Sequence, residues 1–150
     1  MSRKSVIKKY VVTVSRHFPK SHNKSGLPTM FVDGIGAGTK LHTIRSNYGL
    51  WHKRIDNVIK GEAVISVRYW TGKPYNSPQC EFLQLDASSG IGLQKIDNPT
   101  NVDCAVIDSS CVSWGVIANN DGLNLDDFSD WFKVKTSEPM AIIHFTAFRY

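Results

Sequence analysis

Polar and apolar positions along the chain change period several times, and each change marks an element. Lys8–Ser15 (KKYVVTVS) is β-branched and reads as a first strand. Arg16–Thr29 carries two prolines, a glycine and mostly polar residues, and reads as a loop. A short helical turn is expected in MFVDGIGAG, followed by a short extended KLHTIR segment. Leu50, Trp51, Ile55, Val58 and Ile59 then recur at helical spacing and stop at Gly61, which predicts a helix of about three turns.

Glu62–Trp70 and QCEFLQLDAS are strand-like and are separated by the turn TGKPYNSP, so a hairpin is expected. GIGLQKI and NVDCAVIDS are weaker strands. The stretch from Ser113 turns helical. Asn124 or its turn is placed to cap a helix carrying Leu125, Phe128, Trp131 and Phe132, with Asp126 and Asp127 at the positive end of the dipole. PMAIIHFTAFRY alternates as a closing strand, with Ile142, His144, Thr146 and Phe148 on one face. Five or six strands with an early and a late helix define an α+β class, and a small curled sheet or barrel buries such strands best.

At 150 residues the chain is read as one domain. No apolar run approaches the roughly 20 residues that cross a bilayer. The first residues also lack a signal-peptide pattern, so a soluble, cytoplasmic protein is expected. Cys80, Cys104 and Cys111 are odd in number and form no C-x-x-C pair, which favours buried reduced thiols. His17, His22, His42 and His52 are dispersed without metal-site spacing, so neither a metal nor another cofactor is expected, and His144 reads as a partly buried strand histidine.

Charge adds a second signal. Up to Cys80 there are 14 Lys/Arg against three acids, and from Glu81 onward four against ten. A basic half favours a polyanionic partner such as nucleic acid. Part of the excess (Arg3, Lys4, Lys8, Lys9) is expected to form a flexible basic arm over residues 1–8.

Gly34–Arg45 (GIGAGTKLHTIR) has the look of a phosphate loop but fails its spacing. Lys40 follows Thr39 rather than a glycine, and Leu41 stands where the metal-binding hydroxyl belongs. Gly34, Gly36 and Gly38 are spaced by two, so the dinucleotide pattern fails as well. The chemistry lies behind the glycines. In an extended segment Leu41, Thr43 and Arg45 share one face and Lys40, His42 and Ile44 the other, so Lys40 meets Thr43 only if the chain bends after Lys40.

Gly38, Lys40, Thr43, Ile44 and Arg45, with Gly61, Glu62 and Val64 after the tryptophan helix, resemble the G-x-K-x-x-T-I-R and G-[DE]-x-[LVI] motifs of the ASCH family. That family belongs to the PUA-like superfamily, and AIIHFTAF resembles its last strand. The likeness runs from about Tyr10 to Tyr150. It implies a PUA-like mixed β-barrel of five to six strands with flanking helices, and a cleft beside KLHTIR that binds RNA or modified nucleotides. One branch of the family hydrolyses acetylcytidine with a lysine, a threonine three residues later and a downstream glutamate. Lys40 and Thr43 match the first two, and Asp121 stands at the acidic position, one methylene shorter. The chain also carries TGKPYNSPQ and GIGLQKIDNPTNV segments that the enzymes lack.

Two functions follow. A binding module would use Arg45, Arg68 and Lys73 for phosphate and Tyr48, Trp51, Trp70 or Tyr75 for base stacking, with Arg16 and His17 nearby. The neighbours of Trp51 favour a core role for it. An amidohydrolase acting on an N-acylated cytidine-like nucleoside would use Lys40 to activate Thr43, Asp121 to handle the leaving amine, and a backbone N–H of the glycine turn for the oxyanion.

Overall fold

A computed structural model of the chain describes residues 7–97, 104–133 and 138–150. Strands β1 (Lys8–Thr13), β2 (His42–Arg45), β3 (Ala63–Trp70), β4 (Gln79–Leu85), β5 (Gly92–Asp97), β6 (Cys104–Ile107), β7 (Ser110–Ser113) and β8 (Met140–His144) occur with helices α1 (Phe31–Ala37), α2 (Tyr48–Ile59), α3 (Trp114–Asn120) and α4 (Leu125–Trp131). The class is α+β, as the periodicities imply.

The strands form two sheets rather than one curled surface. The first has the order β1-β3-β4, with β1 parallel to β3 and a bulge between Val67 and Arg68 where β3 meets β4. The second has the order β2-β8-β5-β6-β7 and is antiparallel throughout. Eight strands therefore replace the five or six expected, and no closed barrel forms among the described residues. The ends of β1 and β2 are joined by a side chain, the Arg45 guanidinium donating to the Thr13 carbonyl, where a barrel would have a backbone ladder.

Helix α2 sits between the sheets and packs on β3, β5 and β8. Its buried residues Trp51, Ile55 and Val58 are spaced four and three apart, so one stripe serves both sheets. Asn47 caps it by accepting from the Leu50 N–H at 3.2 Å. Strand β8 lies inside the second sheet, between β2 and β5, and is buried from Ala141 to His144. The regular strand stops at His144, short of the Thr146 and Phe148 that the alternation extended it to.

Two further differences have local causes. The strand expected in NVDCAVIDS is β6, but a further strand follows it, because Asp108 and Ser109 both take positive φ (45° and 71°) and turn β6 back into β7. Cys104 and Cys111 thereby occupy diagonal positions on neighbouring strands, with Cα atoms 5.7 Å apart, and are joined as a disulfide instead of remaining thiols. Cys80 is free and half-buried. The expected basic arm falls mostly on residues 1–6, outside the described residues, and its last member Lys8 already pairs with Ala63. No described helix is long and apolar enough to cross a membrane.

His144 is fully buried at the end of β8, opposite His42 on one side and Gly92 on the other. Its Nε2 lies 3.0 Å from the Gln94 Oε1, so that nitrogen carries the proton, while Nδ1 has no partner among the described residues. Burial, reinforced by His42 and Arg149, drives its pKa from 6.5 down to about 3. Between those values the unfolded chain binds a proton that the folded chain refuses, so stability is complete above about pH 6.5 and falls as the pH drops toward 3. Unfolding free energies from denaturant titrations between pH 7.5 and 4 are expected to decline by up to about 1.4 kcal/mol per pH unit from this group. The decline should be shallower in His144→Gln, and an unchanged slope there would contradict the assignment.

Candidate functional site

The glycine stretch ends α1, and its N–H groups are consumed in doing so. Gly38 takes φ 78°, and the Thr39 and Lys40 amides both donate to the Gly34 carbonyl at 2.8 and 3.0 Å. The Leu41 amide donates to the Asn120 carbonyl at 2.7 Å. None of these amides is left for an oxyanion, which overturns the expectation that the turn supplies one.

Strand β2 begins only at His42, so Lys40 precedes the alternation and is free to turn to the Thr43 side. Lys40, Thr43, Arg45 and Asp121 line one small pocket with Phe31, Leu123, Trp131 and Phe132. The chemistry-bearing residues that the sequence marked 81 positions apart therefore do converge. The pocket encloses about 30 Å³, space for water but not for a nucleobase.

Asp121 enters through the α3–α4 junction. It closes α3, and Gly122, at φ 82°, reverses the chain toward Asn124, whose side chain accepts from the Asp127 N–H at 2.8 Å to start α4. Lys40 is 3% and Asp121 4% exposed. The Lys40 ammonium donates to the Asp121 carboxylate (3.1 Å) and to the Asp121 carbonyl (2.7 Å), and lies 4.1 Å from the centroid of Phe31. Two acceptors and a ring face surround the nitrogen, the environment of a cation. Burial lowers the Lys40 pKa, Asp121 opposes this and Arg45 adds to it.

Thr43 is buried, yet its hydroxyl has no hydrogen-bond partner among the described residues. The lysine is thus turned to Asp121 and not bonded to the threonine. The Arg45 guanidinium is anchored on Thr13 and Ile44 carbonyls; burial lowers its pKa, with Asp121 and Tyr75 acting against that shift.

The predicted binding residues fall in three places. Arg16, Arg68, Trp70, Lys73 and Tyr75 gather where β1 leaves its sheet beside the β3–β4 turn. Arg16 donates to the Thr71 carbonyl at 2.8 Å and its guanidinium lies 4.6 Å from the Tyr69 centroid. Trp70 and Tyr75 lie with ring centroids 5.2 Å apart, and Tyr75 is 87% exposed. Arg68 is tied to Ser66 and Gln79, and Lys73 is exposed. His17 is exposed and bridged to Pro28. Tyr48 lies apart with Lys95 over its ring at 5.2 Å, and Trp51 is in the core, its face unavailable for stacking.

The sequence reading missed His42, Asn120 and Tyr150 as partners of this site. His42 Nδ1 lies 3.2 Å from Asp121 Oδ1, and its Nε2 2.5 Å from the Tyr150 hydroxyl, which Asn120 Nδ2 approaches at 3.2 Å. The only available signal was the alternation that puts His42 and Thr43 on opposite faces of β2. Among the described residues no group of three or more His, Cys, Asp or Glu is placed to hold a metal. No protein-family model, curated protein or solved structure matches the chain.

A Cβ on Gly122 would meet the Lys40 side chain at 3.3 Å and would have to adopt positive φ, whereas one on the helical Gly36 meets nothing within 4 Å. Gly122→Ala is therefore expected to lose roughly 1–2 kcal/mol of stability and Gly36→Ala to gain up to about 1. Urea unfolding of the two variants checks the opposite signs.

Proposed function

We propose that this protein is a nucleotide- or nucleic-acid-binding module of the ASCH type, built on a variant of the PUA-like arrangement. The K-x-x-T-I-R strand, the tryptophan helix behind it and the G-E-x-V entry to β3 support the kinship. The observation that carries the reading is the joining of a pocket and a rim. Arg45 lines the pocket that holds Lys40, Thr43 and Asp121, and its guanidinium also donates to the carbonyl of Thr13, whose register partner on β3 is Arg68 at the base of the β3–β4 turn. Phosphates would meet Arg16, Arg45 and Lys73, and bases would stack on Trp70 and Tyr75. At about 30 Å³ the pocket is an order of magnitude below the roughly 300 Å³ of an ordinary ligand site, so only the edge of a base would enter it.

A second reading, hydrolysis of an N-acylated cytidine-like nucleoside, is favoured by the convergence of Lys40, Thr43 and Asp121 on one pocket. It is weaker because Lys40 would have to leave Asp121 and give up a proton before it could activate Thr43, and because the glycine-turn amides are occupied.

Fluorescence anisotropy with a short single-stranded RNA separates the outcomes. Binding is expected to weaken as salt rises, Trp70→Ala to cost about 1–3 kcal/mol, and Lys73→Ala to reduce the salt slope by roughly 0.7–1. An absence of binding at low salt would sink the module reading. Turnover of acetylcytidine that vanishes in both Lys40→Ala and Thr43→Ala would establish the hydrolase instead.

A further inference from the structure

The polar chain behind the pocket has a definite direction. Asn120 Nδ2 donates to the Tyr150 oxygen at 3.2 Å, leaving the Tyr150 proton to point at His42 Nε2 at 2.5 Å. That nitrogen is then an acceptor, and Nδ1 carries the proton. The other end agrees: a bare Nδ1 would set its lone pair against Asp121 Oδ1 at 3.2 Å, the oxygen that also accepts from Lys40. Lys40, Asp121, Tyr150, Asn120 and, at 5.4 Å between ring centroids, His144 complete the groups facing His42.

The consequence reaches the pocket. Oδ1 of Asp121 is committed to Lys40 and His42, while Oδ2 has no partner among the described residues and belongs to a pocket-lining side chain. The Lys40 nitrogen is already given to Asp121 and Phe31. The valences left inside are the Asp121 Oδ2 acceptor, the Thr43 hydroxyl and the Arg45 N–H groups not given to the Thr13 and Ile44 carbonyls, and among these Oδ2 is the one that only accepts.

We infer that His42, fixed as its Nδ1–H tautomer by Tyr150 and Asn120, is a positioning residue that orients Asp121 so that the pocket selects a base presenting an exocyclic amino group to Oδ2 over one presenting a carbonyl at that position. The selectivity rests on the base-binding reading above, whereas the tautomer does not. A carbonyl placed against Oδ2 would bring two acceptors together and leave a buried carboxylate oxygen unpaired.

Long-range ¹⁵N–¹H spectra of the imidazoles in the ligand-free protein test the first half. His42 is expected to show a protonated Nδ1 and a bare Nε2, with that pattern lost in Tyr150→Phe; an Nε2–H tautomer or an imidazolium at neutral pH would overturn the assignment. The second half is read with cytidine and uridine 5′-monophosphates, which differ in an amino against a keto group. Cytidine monophosphate is expected to bind about tenfold tighter. His42→Asn, which can place an N–H near Nδ1, should keep that preference, and His42→Gln should lose it. Equal affinities in the unaltered protein, or equal behaviour of the two variants, would overturn the selectivity. Failure of both nucleotides to bind while the Nδ1–H pattern is present would overturn the base-binding reading and the selectivity with it, and support the positioning of Asp121 alone.

Discussion

The ion pair between Lys40 and Asp121 is the interaction on which the site depends. It is buried at both ends, and it joins the entry to β2 to the junction of α3 and α4. Taking two charges out of water costs several kcal/mol each, so a pair of this kind adds little net stability over a well-packed apolar substitute. Its value is geometric. Lys40 accepts only one direction, toward the carboxylate and carbonyl of the same residue, and this fixes the distance between segments 81 positions apart. The Leu41 amide on the Asn120 carbonyl and His42 on Asp121 tie the same two segments beside it.

Around that pair the molecule separates two electrostatic tasks. Inside, Lys40 and Asp121 pair, leaving a pocket lined by Phe31, Trp131 and Phe132 whose remaining polar features include the Thr43 hydroxyl, one Asp121 carboxylate oxygen and the Arg45 guanidinium. Outside, the β3–β4 turn and the end of β1 carry Arg16, Lys73, Trp70 and Tyr75, a surface of cations and aromatic rings. Arg45 belongs to both, since it lines the pocket and also ties β2 to β1 across the gap between the sheets. The same guanidinium thus serves fold and site, and an arginine suits this because its planar fork supplies several donors at once.

Much of this was legible in local pattern. The stripe of Trp51, Ile55 and Val58 foretold α2 and the core role of Trp51, and Asn124 foretold the start of α4. The resemblance to the ASCH motifs, rather than spacing alone, marked Lys40, Thr43 and Asp121, and the structure brings them together in one pocket. What local pattern could not show was set by long-range contact. Asp108 and Ser109 turn β6 into β7 without the glycine that usually announces such a turn, so the hairpin and the Cys104–Cys111 pair were hidden. Two sheets bridged by Arg45 look the same in sequence as one curled sheet. The histidine of KLHTIR gained its meaning only when Asp121 and Tyr150, one on each side of its ring, arrived from elsewhere in the chain.

The central claim is that Lys40 and Asp121 act as a unit, and a double-mutant cycle measures it most directly. Lys40→Met and Asp121→Leu each leave a buried charge without its partner and should each cost about 3–5 kcal/mol in urea unfolding, while the double variant should cost far less than their sum, a coupling of about 3 kcal/mol. Losses that add to within about 0.5 kcal/mol would show two independent residues and contradict the account.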